Sequence, residues 1–179
     1  MKPFHFILIL FACVSLSTIG YRTSQAAEFK ISSPAYENNG GIPGKYTCDG
    51  ANINPPLRIE NVPLQAKSLV LIFDDIDAPG GSYVHWILWN IDPTTREIKE
   101  DSVPEGAVQG TNDFKKQNYG GPCPPTRPHR YAFKVYALDT PLGLSAASKK
   151  ADLEKAMKGH VIGRSQWLGQ FKKSKSSPK

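Results

Sequence analysis

Little in this sequence announces an enzyme or a nucleic-acid-binding protein. It lacks the close His-x-x-x-His spacing of many zinc enzymes. No Ser-His-Asp or Cys-His arrangement argues for covalent catalysis, and the sequence places no base beside Ser82. The basic residues are not interleaved with exposed aromatics, so there is no footprint for nucleic acid. No repeat recurs and no linker divides the chain, and 179 residues read as one domain. Net charge is also missing from the middle of the sequence. The formal charge is +6, but Lys2 and Arg22 lie in the first segment, and Lys172, Lys173, Lys175 and Lys179 lie in the last. The stretch between is close to neutral, so residues 172–179 read as a basic flexible tail.

Only one long apolar run occurs. Residues 4–16 are apolar apart from His5, Cys13 and Ser15, and Ser24-Gln25-Ala26 follows with small residues at the right spacing. This predicts a secretory signal peptide over residues 1–26, cleaved after Ala26 or Ala27. The run falls short of the roughly 20 residues of a membrane span, which places a membrane anchor second. A lipoprotein signal at Cys13 is a further alternative, poorly matched by Phe11. The expected location is periplasmic or secreted, with no transmembrane span after signal removal. Cysteine is scarce. Cys13 leaves with the signal, and Cys48 and Cys123 remain. An even count in an exported chain predicts one disulfide, with two free buried thiols as the alternative.

What remains is strand-rich. Leu57-Arg58-Ile59-Glu60 alternates, and residues 28–31 do so more briefly. Ser68 to Phe73 is apolar on both faces and predicts a central, doubly covered strand. Residues 84–91 and 131–138 predict two more strands, and residues 160–171 a last one. Residues 92–118 hold Pro93, Pro104, Gly106 and Gly110 and predict a long excursion. One helix is expected, over 148–158, with Asp152 and Glu154 early, Lys155 and Lys158 late, and Gly159 as its stop. His160 is expected to face the helix C-terminus. Residues 27–171 therefore read as a mainly β domain with few helices.

Two stretches carry chemistry. In the first, Asp74-Asp75-Ile76-Asp77-Ala78-Pro79 precedes a strand with His85 and Trp86. In the second, Tyr119-Gly120-Gly121-Pro122-Cys123-Pro124-Pro125 precedes His129-Arg130-Tyr131. Alternation puts Asp75 and Asp77 on one side, where they would raise each other's pKa. It puts His85 on the face of Ile87 and Trp89, pairs His129 with Tyr131, and turns Arg130 away. Gly120 and Gly121 allow close backbone approach, and amides in such a turn can cradle an anion. The expectation is one polar pocket for a phosphate-like group, with the aspartates meeting an ammonium or orienting the histidines.

These motifs, in this order, resemble the phosphatidylethanolamine-binding protein family, and more closely its bacterial branch of Raf-kinase-inhibitor-like proteins. The resemblance extends through Tyr46-Thr47-Cys48-Asp49-Gly50, Val108-Gln109-Gly110-Thr111-Asn112-Asp113-Phe114, Tyr136-Ala137-Leu138-Asp139 and Gly159-His160. It implies a large antiparallel sheet packed against a smaller one, with peripheral helices. It implies an anion-accepting pocket lined by Asp75, Asp77, His85, Gly120, Gly121, Pro122, Cys123, His129 and Tyr131, shaped by Pro79. Ile76 departs from the pattern, where the family commonly has proline.

The reading that follows is an exported binding protein for a small anionic or phosphorylated ligand, such as a phosphoethanolamine-like headgroup. It implies no cofactor and no bound metal, and allows a protein partner such as a kinase or protease and a homodimer. Two alternatives stand beside it. The Asp/His cluster could serve a metal-assisted phosphoester hydrolase, or the pocket could be vestigial in an interaction protein.

Overall fold

The computed structural model of the chain describes residues 27–174. The expected signal peptide and residues 175–179 of the basic tail lie outside the described residues. The strands are β1 (Lys30–Ser32), β2 (Gly40–Gly41), β3 (Leu57–Glu60), β4 (Ser68–Asp75), β5 (Tyr83–Ile91), β6 (Glu97–Ile98), β7 (Val108–Gln109), β8 (His129–Leu138) and β9 (Val161–Phe171). The helix α1 (Lys150–Met157) lies between the last two. They form a six-stranded sheet in the order β2-β9-β8-β4-β5-β7 and a three-stranded sheet in the order β1-β3-β6. The expected two-sheet fold is present. The large sheet is antiparallel except at β2, which runs parallel to β9.

The strand β4 explains the layering. All eight of its residues are buried. Its side chains alternate between two cores, as the period of a strand requires. Leu69, Leu71 and Phe73 pack with Ile31, Leu57, Ile59 and Ile98 between the sheets. Val70 and Ile72 pack on the other side with Leu153 and Met157 of α1. Each such buried side chain contributes about 1.5–3 kcal/mol, so the strand is fixed along its whole length and rigidly holds the polar residues at its end. The helix is one turn shorter than expected. The Asp152 carboxylate accepts the Lys149 N–H at 3.0 Å at its start, and Gly159, at φ 87°, ends it. His160 does not serve the helix end through its ring, because Nδ1 lies 2.8 Å from the Asp139 carboxylate.

Pairing across the centre places the site. Asp75 pairs with Tyr83 on β5 and with Tyr131 on β8. The expected strand geometry does begin at His129, which pairs with Phe171 at the end of β9. Between the Phe73–Trp86 and Asp74–Val84 pairs the register slips, and His85 is the extra residue on β5. This β-bulge decides where His85 points.

Candidate functional site

Strict alternation would send His85 into the helix-side core with Ile87 and Trp89. The bulge turns it to the opposite face instead. Its ring meets Tyr131 edge-on at 5.3 Å between centroids, and Phe73 at 5.6 Å. His85 is buried, and Nδ1 lies 2.7 Å from the Gly120 carbonyl. A carbonyl only accepts, so Nδ1 carries the proton and Nε2 is the nitrogen left over. Burial holds the His85 pKa below the ordinary histidine value, against the opposing pull of Gly120 and Asp75. The free protein therefore holds His85 neutral near neutral pH, with an acceptor at Nε2.

His129 has the same arrangement with a stronger partner. Its Nδ1 lies 2.7 Å from Asp75 Oδ2. The other oxygen of Asp75 accepts the Asp77 N–H at 2.9 Å, so the same carboxylate also shapes the turn after β4. Asp75 is thus an orienting group with both oxygens engaged. Asp77 turns away from it. Its carboxylate accepts from the backbone N–H, Nε and Nη2 of Arg130 at 2.9, 2.9 and 2.7 Å. These hydrogen bonds to Arg130 hold the Asp77 carboxyl well below the usual range. The expected rise at Asp77 therefore does not occur, because an arginine takes up Asp77 outside the pocket. Arg130 points away from the pocket as strand alternation requires.

The glycine loop is present, but the N–H groups of its two glycines are already engaged. The Gly120 N–H donates to the His85 carbonyl at 3.1 Å, and the Gly121 N–H donates to Asn52 Oδ1 at 2.7 Å. Pro122 has no N–H, and its carbonyl accepts from Cys48 N. The two glycines instead allow close packing. A side chain at Gly121 would meet the Tyr46 carbonyl at 2.5 Å, and one at Gly120 would meet the Phe114 ring at 2.6 Å. The Cys48–Cys123 disulfide is formed, with Cα atoms 5.4 Å apart, and both cysteines are exposed.

These groups enclose a cavity of about 210 Å³ lined by Asp75, His85, His129, Tyr131, Cys123 and Pro79, with Tyr83, Phe114, Pro124, Pro125 and Ala78 completing it. Asp77, Gly120, Gly121 and Pro122 are not among its lining residues. Tyr131 is fully buried; its hydroxyl completes no well-formed hydrogen bond, and the Asp75 carboxylate and the Cys123 backbone are the polar groups that act on it. Burial, with Asp75 nearby, pushes that phenol far above its ordinary pKa, so it remains an O–H donor. Sequence reasoning missed Tyr83 and Phe114 as walls. Phe114 stood within the quoted 108–114 motif, but nothing in the sequence reveals that its ring packs edge-on to His85 at 5.1 Å.

A second polar cluster lies behind the pocket. Asp74, adjacent to Asp75 but on the other face, is fully buried and pairs with Lys134 at 3.0 Å and Lys150 at 2.6 Å. Burial alone would raise its pKa, but Lys150, Ser82 and Lys134 outweigh that and lower it. Ser82 thus does have a nitrogen beside it, Lys150 Nζ at 2.9 Å. That nitrogen is committed to Asp74, so the pair is a structural clamp between α1 and the sheet. A larger recess of about 460 Å³ involves Lys134, Tyr136 and Arg164. It contains neither of the two pocket histidines, and size alone does not select it.

The aspartates do not converge on one ion, and among the described residues no group of three His, Cys, Asp or Glu side chains could hold a metal. Among these residues no helix is long and apolar enough to cross a membrane.

Comparison with known proteins gives one answer throughout. Residues 32–172 match the family model described as phosphatidylethanolamine-binding protein. A UPF0098 protein of Methanothermobacter thermautotrophicus is 45% identical over 148 residues, covering 80% of this chain and 98% of that one. One from Pyrococcus horikoshii is 46% identical over 178 residues, covering 93% and 89%. Among solved structures, a phosphatidylethanolamine-binding protein homolog of Chlamydia trachomatis has a TM-score of 0.79 at 39% identity, covering 82% of this chain and 99% of that one. YbcL of E. coli, described as a member of the mammalian family, has a TM-score of 0.78 at 30% identity, covering 83% and 100%. With the two-sheet fold and the motif order in agreement, the chain belongs to the phosphatidylethanolamine-binding protein family.

Proposed function

We propose that the 210 Å³ cavity binds a small anion, and that its natural occupant carries a phosphate group, as a phosphoethanolamine-like headgroup does. The observation behind this is the pair of imidazoles that line it, His85 and His129, whose Nδ1 atoms are already engaged, so that Nε2 of each is the ring nitrogen left for a ligand. His85 would take a proton at Nε2 as the anion enters and donate it to an anion oxygen. His129 is oriented by Asp75 for the same task. Asp77 acts one step further out, fixing Arg130 and the turn. Cys123 forms part of the wall, and the Gly120 carbonyl holds His85 in its tautomer.

The test is a titration with inorganic phosphate and phosphoethanolamine, read by NMR at the His85 and His129 rings. Both rings should shift together and saturate. No shift at millimolar ligand would refute the reading. Nothing favours the hydrolase alternative, since Asp75 and Asp77 are engaged elsewhere. Export to the periplasm or beyond is part of the proposal, supported by the apolar leader and by a disulfide of the kind that persists outside the cytosol. N-terminal sequencing of the native protein should begin at Ala27 or Glu28; a start at Met1 would count against it. A protein partner modulated by the pocket is a further part, and pull-down with and without saturating phosphoethanolamine would test it.

A further inference from the structure

The 210 Å³ cavity is small. Sites for organic ligands usually run from roughly 300 Å³ upward. A second cavity of about 320 Å³ adjoins it, and the two share Phe114 and Cys123. Beyond that shared wall the second chamber is lined by Cys48, Asn52, Lys116 and Asn118, with the Tyr119-Gly120-Gly121 segment completing it. Phe114, 39% exposed, forms a saddle between the chambers over Gly120.

The charges of the second chamber are uneven. Lys116 lines it and has no ion-pair partner among the described residues. The nearby acids are engaged. Asp49, next to Cys48, accepts the N–H and hydroxyl of Ser174 at 2.7 Å each, and Lys173 adds an attractive charge there. Asp113, next to Phe114, accepts the Val84 N–H at 2.6 Å. Lys172 and Lys173 follow directly on Phe171, which pairs with His129, so the basic tail leaves the sheet at the pocket end.

We propose that the second chamber is a subsite for the remainder of the ligand, and that the ligand class is a phosphate monoester bearing a carboxylate, with Lys116 meeting that carboxylate. This rests on the phosphate reading of the first chamber. It makes the protein a receptor for an extended, doubly anionic small molecule. Phosphate alone would fill one chamber only.

Phosphoethanolamine and O-phosphoserine differ by one carboxylate and isolate the question. Calorimetry at low salt should show O-phosphoserine binding about threefold to fivefold more tightly, the scale of a partly exposed ion pair. Lys116→Ala should abolish that preference and leave inorganic phosphate affinity within about a factor of two, while Lys116→Arg should keep it. Amide shifts at Asn52 and Asn118 should appear with O-phosphoserine and not with phosphate. Equal affinity for the two esters, or a preference that survives Lys116→Ala, overturns the subsite while phosphate still binds. Failure of all three compounds to bind overturns the pocket reading itself.

Discussion

His129 Nδ1 lies 2.7 Å from Asp75 Oδ2, and neither side chain is more than 7% exposed. A hydrogen bond to a buried charged group contributes about 1.5–3 kcal/mol, and this one also fixes which ring nitrogen is left for the cavity. Asp75→Asn preserves the shape and removes the charge. It should lower stability by about 1.5–3 kcal/mol and weaken phosphate binding roughly tenfold or more. Nitrogen NMR should show a changed His129 tautomer. Asp77→Asn touches only the outer pair with Arg130 and should cost about 1 kcal/mol or less. If Asp75→Asn bound phosphate like the parent with an unchanged tautomer, the orienting role would be wrong.

The pH dependence follows from His85. Burial lowers its folded-state pKa below the unfolded value of about 6.5. As pH falls, the unfolded chain takes up the proton first. This contribution to stability is therefore complete above about pH 6.5 and is lost as pH falls towards the folded-state pKa. A bound anion reverses the preference by favouring protonated His85. Sulfate, which does not titrate in this range, should bind more tightly as pH falls from about 8 to 6, approaching tenfold per unit at the steepest. In His85→Gln the slope should flatten. A slope identical in the variant would assign the proton to another group.

Much of this was legible beforehand, and the misses share a cause. Alternation identified β4 as doubly covered, because Leu69, Val70, Leu71 and Ile72 leave neither face polar. It paired His129 with Tyr131 and turned Arg130 outward. It failed at His85 because a bulge adds a residue on β5, and no residue type between Phe73 and Trp86 signals that slip. It failed at Asp77 because the chain had left the strand by then, and Arg130 is a non-local partner. The Gly120 and Gly121 amides are taken up for the same reason. Only the folded chain brings Asn52 to the Gly121 N–H and the His85 carbonyl to the Gly120 N–H. Residue chemistry marks the two stretches that the fold brings together, while long-range contacts decide which of their groups remain available.

The disulfide joins residues 75 apart in sequence. In the chain-entropy account a loop of that size is worth about 4 kcal/mol, or roughly 8–16 °C in Tm for a domain of this length. Reduction, or the Cys48→Ser, Cys123→Ser pair, should produce a fall of that size without unfolding the protein at room temperature. Several contacts keep the loop in register: Tyr119 Oη donates to the Tyr46 carbonyl at 2.8 Å, Gly121 N to Asn52, and Cys48 N to Pro122. A Tm unchanged by reduction would show that these contacts alone carry the loop.

Gly121 separates packing from flexibility as the reason for its glycine. Its φ does not fall among the positive values, so an L-residue suffers no backbone strain there. A Cβ would, however, meet Asn52 Oδ1 and the Tyr46 carbonyl at 2.5 Å and Thr47 Cα at 2.9 Å. Two of these are backbone atoms held by the 3-10 turn Gly44–Tyr46 and the adjoining disulfide. They cannot yield as a flexible side chain would. Gly121→Ala should therefore cost about 1–3 kcal/mol by overpacking and push the loop off the Asn52 contact. The carbonyl of Gly120, one residue away, holds His85, so phosphate affinity should fall with stability. Asn52→Ala, introduced with Gly121→Ala, removes one of the three clashes and should recover only part of the loss. Full recovery would place the strain on Asn52 alone, and no loss in Gly121→Ala would mean that the 46–47 backbone moves freely.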